Sequence, residues 1–343
     1  MFTPRHLLPQ YNLKVSEKYR DRWDTKEGEQ ILKEIFERIR KDGGGKYLLV
    51  GILDKYPSFL EDEYDLKGIK FINEDIDFPC IDNFKVINFS YSSFYHSKFK
   101  NACFYVTHFT FSTIYNCQFE NCIFSFGGFF GSTLEKVNFI NCEFIDEFRI
   151  TNCNFKTVEF QNCFFTSNIF SDCKFDETTI IYDPMEKSIR TSQGNTELDK
   201  REIAGIFKGI REGYIAGDVI EKERNYFFKE RQAVTRYNTK GRWKKLTSYF
   251  LEMVAGYGIK PLRVLVALII SFIIFSAIFM MELGFSEGIL LSAGAFFTFG
   301  ANSHLLSTLS PFFKIFYIME SFLGISLMAM FITVLANYWF RWR

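Results

Sequence analysis

Six cysteines, Cys117, Cys122, Cys142, Cys153, Cys163 and Cys173, are the first candidates for chemistry in this chain, since thiolates bind zinc and thiols pair as disulfides. Tetrahedral zinc sites draw on CxxC pairs or on Cys and His together, and neither spacing occurs among the eight Cys and four His. Each of the six lies instead two residues before a Phe. A thiol held at a fixed phase to an aromatic reads as a small apolar packing residue. No Walker, Rossmann, triad or metal signature accompanies them, so the chain is not expected to be an enzyme.

A second locus is the stretch 288–313, GILLSAGAFFTFGANSHLLSTLSPFF, which has no charge yet is interrupted by Gly, Asn, Ser and Pro. Its apolar part, 288–300, has 13 residues and is too short to cross a bilayer. Irregular backbone at membrane depth persists only when buried in protein or lining a watery cavity, so the segment reads as re-entrant. Two long apolar runs must position it. Residues 264–281 are 18 residues without a charge, about 27 Å as a helix. Residues 315–340 carry only Glu320 and end in Tyr338, Trp339 and Phe340, where an interfacial aromatic belt belongs. Both runs are expected to span a membrane.

Charge sets the orientation. Lys plus Arg number 41 and Asp plus Glu 40, a net charge of +1, which leaves no basic field for nucleic acid. Lys240, Arg242, Lys244, Lys245, Lys260 and Arg263 precede the first span, and Arg341 and Arg343 follow the second, whereas the intervening segment holds Glu282, Glu287 and a single Lys314. Both termini are therefore expected in the cytoplasm of a multi-pass inner (plasma) membrane protein. The first residues show no apolar run of signal-peptide length, and a cytoplasmic placement disfavours disulfides.

Between the N-terminal region and the spans runs a five-residue repeat. Apolar residues recur every five positions from Phe84 through Phe89, Phe94 and onward to Phe144, then, after one inserted residue, from Ile150 to Ile180. Leu66, Phe71, Ile76 and Ile81 keep the spacing in another phase. Five steps on an α-helix smear these side chains around the axis, and on a flat strand they alternate faces. All can point inward only if the chain turns a corner once per repeat, as a β-solenoid does.

Stretches such as NCQFENCIF and VNFINCEF, with a small residue two places before a central Phe, give residues 66–182 a resemblance to the pentapeptide-repeat family. The resemblance implies a right-handed quadrilateral β-helix with four repeats per coil, the cysteines filling its small inward column. The solenoid reads as an interaction or spacer module, with an unknown cytoplasmic protein or ligand as its expected partner. Residues 66–182 carry 13 acidic and 9 basic residues, too mild an excess for mimicry of DNA. Two helical zones flank the solenoid. One covers residues 24–41, with Asp24 as cap and Ile31, Leu32, Ile35, Phe36 and Ile39 on one face. The other is a hairpin broken at Gly217, with Asp218 and Glu221 as a capping box and Ile203, Ile206, Phe207 and Ile210 facing Ile220, Tyr226 and Phe227.

The order span, short helix, glycine-bearing loop, span, with the loop reading Thr298-Phe299-Gly300-Ala301-Asn302, resembles the two-transmembrane potassium-channel pore domain over residues 256–340. Thr298 and Gly300 match its T-V-G-Y-G filter; Ala301 and Asn302 depart from it. The resemblance implies a selectivity filter of these five residues, whose carbonyls replace a cation's hydration shell, with Gly300 and Asn302 at the places that need left-handed backbone. Residues 289–297 would be the pore helix. Gly256-Tyr257-Gly258 is a decoy that precedes the first span, in a segment resembling a juxtamembrane motif of bacterial pentapeptide-repeat channels. On the last helix Phe322, Ser326, Met330, Thr333 and Asn337 share one face, the candidate pore lining. Gly324 falls near the family's hinge position or is a small-residue packing contact.

The expected protein is multidomain: residues 1–64, a cytoplasmic helical region; 65–183, the solenoid; 196–245, the helical hairpin and basic linker; 256–343, an all-α pore domain with spans at 262–283 and 315–340 around a pore helix and filter at 288–303. The implied function is a homotetrameric cation channel, without cofactor other than a permeant monovalent cation, potassium by resemblance, whose solenoid senses or docks a partner and biases the gate. The competing expectation is a membrane-anchored interaction scaffold with a closed or vestigial pore.

Overall fold

The structure, a computed structural model, describes residues 19–41, 66–77, 87–166, 169–182, 189–191, 194–196, 202–297 and 303–341. They belong to two compact units, Met1–Glu230 and Arg231–Arg343. Helix α1 is Lys26–Lys41, α2 Ile203–Ala216, α3 Ile220–Ala233, α4 Arg242–Ala255, α5 Pro261–Leu283, α6 Phe285–Phe296, α7 Ser303–Thr308 and α8 Pro311–Arg341.

The first unit is a parallel β-solenoid of about five turns. The geometry of one repeat explains the period. At Phe119 the side chain points inward from a three-residue strand, and Asn121 then takes a left-handed backbone with φ 54°. Cys122 follows, buried in the corner, and the next strand brings in Phe124. One left-handed residue per five turns the chain without breaking the coil-to-coil hydrogen bonds. Asn fills this place at 73, 101, 116, 121, 141, 152 and 162, because its short amide tolerates the left-handed region better than other side chains with a Cβ. Its amides also stack: Asn162 donates to Asn141 at 2.6 Å, Asn141 to Asn121 at 3.2 Å and Asn121 to Asn101 at 3.4 Å.

Inward residues form columns. Phe71, Phe94, Ile114, Leu134, Phe155 and Phe175 are successive partners in one six-stranded sheet. Ile76, Phe99, Phe119, Phe139, Phe160 and Ile181 are partners in a second. Two further columns share the third sheet, where the strands Cys103–Thr110 and Ile123–Phe130 each carry two centres. Rings stack along a column, as in Phe119 on Phe139 at 5.0 Å and Phe139 on Phe160 at 4.7 Å, the offset geometry aromatic pairs favour. The upstream centres Phe71 and Ile76 join the same columns as a further coil. The inserted residue after Phe144 is absorbed by a turn with Asp146 and Glu147 both left-handed, and Phe148 enters the core. The last centre is Ile181 instead of Ile180. Asp176 accepts hydrogen bonds from the Thr179 amide and hydroxyl at 2.8 and 2.6 Å, and that side-chain turn takes up one extra residue.

Amphipathic helices close both ends. At the first coil Trp23 Nε1 and Arg22 each donate to the Lys67 carbonyl at 2.8 Å, and Ile31 and Ile35 of α1 join the core. The cap of α1 is Thr25, whose hydroxyl accepts the Gly28 amide at 3.0 Å, one residue beyond the expected Asp24. Phe36 and Ile39 have side chains outside the described residues. At the last coil, α2 presents Gly209, Gly213 and Gly217 to Phe170 and Phe175 so closely that a Cβ at any of them would overlap. The hydroxyls of Tyr214 and Tyr226 donate to the carbonyls of Thr179 and Ile181. Asp218 is left-handed, φ 62°, in the turn between α2 and α3; α3 starts two residues later, so the expected capping box gives way to a tight turn.

In the second unit, α4 ends at Gly256, a left-handed C-cap whose amide bonds the carbonyls of Glu252 and Leu251. Gly256, Tyr257 and Gly258 are all left-handed, with φ of 53°, 57° and 85°, and turn the chain into α5. Helices α5 and α8 are long and apolar enough to cross a membrane.

Candidate functional site

Helix α6 is seated against both long helices. Gly284, φ 89°, reverses the chain between α5 and α6, a conformation open to glycine. Gly288 then meets the Met280 backbone so closely that a Cβ would lie 2.6 Å from its nitrogen. On the other side a Cβ on Gly324 of α8 would lie 2.7 Å from the Phe296 carbonyl oxygen. Phe296 packs edge-on to Phe272 of α5 at 5.9 Å and sits in one apolar cluster with Leu268 and Leu327. The helix is one turn longer at its start than expected, because its first turn follows directly on Gly284. It delivers the chain to Phe297; Thr298, Phe299, Gly300, Ala301 and Asn302 lie outside the described residues.

One polar cluster is buried in this bundle. Ser292 of α6 donates to Glu320 Oε1 of α8 at 2.5 Å, and both residues are fully buried. Ser276 Oγ and Glu320 Oε2 are buried with no hydrogen-bond partner among the described residues.

The candidate lining residues separate into two groups. Phe322, Ser326, Thr333 and Asn337 form an exposed stripe on α8, Phe322 at 75%. The hydroxyls of Ser326 and Thr333 donate to the carbonyls one turn back, Phe322 at 2.7 Å and Ala329 at 2.8 Å. Met330, at the stripe's edge, is half-buried against Ala255, Val264 and Val334. Gly324 points the other way, into the contact with Phe296. The outward face of α5 is apolar: Ile269, Ile270, Ile273 and Ile274 are each more than half exposed, which water would not favour.

The decoy tripeptide has its own role. The Tyr257 hydroxyl bonds Thr235 Oγ1 at 2.8 Å and Glu252 Oε2 at 2.9 Å, fixing the corner between α4 and α5. Burial, with the Glu252 carboxylate beside it, pushes the Tyr257 phenol up to about 12. Sequence reasoning saw the glycines but missed this corner, and it missed the serine, Ser292, that meets Glu320.

In the solenoid the six inward cysteines are free and buried. Cys142 Sγ contacts the Phe119 carbonyl at 3.4 Å and Cys163 Sγ the Phe139 carbonyl at 3.3 Å, as the Ser112 and Ser132 hydroxyls do with Phe89 and Phe109 at 2.6 and 2.5 Å. Burial pushes the Cys117 thiol up to about 11, so it is a protonated filler at neutral pH and a poor nucleophile. Cys103, outside that column, is disulfide-bonded, contrary to the expectation from a cytoplasmic placement. An open cleft of about 620 Å³ lies between residues 176–178 and the turn at 217–222.

No protein-family model and no curated protein matches the chain. Among solved structures, a trypsin-treated variant of QnrB1, a plasmid-mediated fluoroquinolone resistance protein, is 16% identical with a TM-score of 0.14, over 34% of this chain and 67% of its own. A second trypsin-treated QnrB1 variant is 14% identical with a TM-score of 0.17, over 33% of this chain and 72% of its own. QnrB1 is a pentapeptide-repeat protein.

Proposed function

We propose that the chain is the subunit of a homotetrameric cation channel of the potassium-channel type, with both termini in the cytoplasm of the inner (plasma) membrane. The observation that carries this reading is the seat of α6. It is a short apolar helix wedged by Gly288 and Gly324 between two helices of membrane-crossing length, and only Phe297 stands between its last residue and Thr298. A helix so placed aims its carbonyl end, the negative pole of its dipole, at whatever follows. The carbonyls of Thr298 to Asn302 then replace the water around a monovalent cation, potassium in preference to sodium, and no other cofactor or enzymatic step is involved. One chain supplies one loop, so four copies enclose the axis. The stripe of Phe322, Ser326, Thr333 and Asn337 faces that axis. The solenoid docks a cytoplasmic protein or ligand and biases the gate.

The departures at Ala301 and Asn302 favour a second reading, a membrane-anchored scaffold with a vestigial pore. Purified protein in planar bilayers separates the two. Unitary currents that vanish in Gly300→Pro, with a reversal potential that follows the K⁺ gradient, support the channel. Silence of a correctly assembled tetramer supports the scaffold, and equal K⁺ and Na⁺ permeability removes the potassium preference.

A further inference from the structure

Helix α4 carries its apolar residues on the side away from its own chain. Trp243, Leu246, Phe250 and Met253, at positions i, i+3, i+7 and i+10, are 79%, 58%, 46% and 69% exposed. Tyr249 and Leu251, beyond the two edges of this arc, are each 42% exposed, and only the inner side of the helix is engaged. Glu252 accepts Gln232 Nε2 at 2.5 Å and the Tyr257 hydroxyl at 2.9 Å, while Val254 and Ala255 are buried. The outward arc is therefore a stable feature of the fold.

Its occupant follows from continuity and charge. At 14 residues the helix is about 21 Å long, too short to cross a bilayer. Only the three left-handed residues of the Gly256–Gly258 corner and two more separate it from α5. Residues 240–263 hold six basic side chains and one acidic, Glu252, which is committed to the contacts above. Lys244 lies about 100° round the helix from Trp243 and Lys245 about 80° from Met253, one on each side of the arc, and Lys260 and Arg263 stand at the start of α5. A helix with an aromatic and aliphatic face, cationic flanks and a fixed link to a spanning helix has the make-up of an interfacial element. Its long cationic side chains reach the phosphates while the stems stay on the apolar side.

We infer that α4 lies along the cytoplasmic membrane surface, with Trp243, Leu246, Phe250 and Met253 among the upper acyl carbons, and that Lys244 and Lys245 recruit anionic phospholipid headgroups. The inference rests on the reading that α5 crosses the bilayer, but not on conduction. The test uses the full chain in phosphatidylcholine vesicles containing lipids brominated either near the top or near the end of the acyl chain. The emission of Trp243 is taken as the difference between wild type and Trp243→Phe, and that of Trp339 in the same way from Trp339→Phe. We expect Trp243 to be quenched more by the shallow bromines than by the deep ones, at a depth of about 5–10 Å. Brominated phosphatidylglycerol should quench it more than brominated phosphatidylcholine at equal mole fraction. Lys244→Gln and Lys245→Gln should each lower that preference by up to about fivefold. Quenching of Trp339 but not of Trp243 overturns the inference, leaves the spans standing and means that a second copy or another protein covers the face. Equal quenching by the two headgroups overturns the anionic recruitment. Absence of quenching at both tryptophans overturns the inference together with the spanning reading.

Discussion

Glu320 of the last helix accepts a hydrogen bond from Ser292 of the short helix at 2.5 Å, with both side chains out of contact with solvent. The pair joins the element that leads into residues 298–302 to the element carrying the polar stripe. Ser292→Ala leaves a second carboxyl oxygen unmet in a dry site and should cost about 1–3 kcal/mol. Glu320→Gln keeps one acceptor and the volume, and should be milder. Thermal unfolding of the detergent-solubilised protein checks the order: if Ser292→Ala melts with the wild type, the contact contributes nothing.

The corner asparagines make a different prediction. Asn141 is left-handed, φ 52°, and bonds the amides above and below it. Asn141→Ala keeps the Cβ in that left-handed backbone but loses the amide that stacks there, a loss of about 1–2 kcal/mol. Asn141→Gly restores the backbone freedom alone and should recover part of the loss. Urea unfolding followed by circular dichroism reads both values, and a glycine variant weaker than the alanine one would contradict the account.

Where α2 seals the last coil, the fit is glycine against phenylalanine. Gly213→Ala drives a methyl into the Phe175 ring, and such overpacking costs about 1–3 kcal/mol. Gly241→Ala serves as a control, since a Cβ there meets nothing within 4 Å; its penalty is confined to the backbone, φ 99°. Limited proteolysis should release the hairpin faster from Gly213→Ala than from wild type.

Acid should loosen the last coil through Asp176. Burial raises its pKa, but hydrogen bonds from the Thr179 and Thr178 hydroxyls and from the Thr157 and Thr179 amides outweigh that and hold it below the usual carboxylate range. A carboxyl depressed in the folded state adds stability that is present above its unfolded pKa and is lost as pH falls through the lower, folded value. The loss therefore sets in below about pH 4. Asp176→Asn should flatten the pH dependence of melting in that range, and an unchanged slope would remove Asp176 as its source.

The five-residue period was legible because one left-handed corner per repeat leaves a fixed imprint on residue choice. Phe119 and Phe139 sit in phase, and Cys122 and Cys142 fill the corners between them. The asparagines at corners 101, 121 and 141 carried a further signal, readable once the turn geometry is considered. The slip from Ile180 to Ile181 was not legible: two adjacent isoleucines fit either phase, and the choice is made by the hydrogen bonds at Asp176. Nor could periodicity reveal that Gly209, Gly213 and Gly217 are packing residues, since a glycine's role lies in what approaches it. In the apolar bundle, the length of α5 and α8 follows from composition, while the meeting of Ser292 with Glu320 depends on the reversal at Gly284.

The register of the solenoid has a consequence for how it tolerates change. Since every lap rests only on the one beneath and carries only the one above, excising a whole lap of about twenty residues from the middle closes the gap with matching surfaces. Removal of a few residues, by contrast, would throw every later ring out of line. Damage at a bared rim would travel inward lap by lap, which makes the plugs formed by Trp23 and Tyr214 the points from which the rod unwinds.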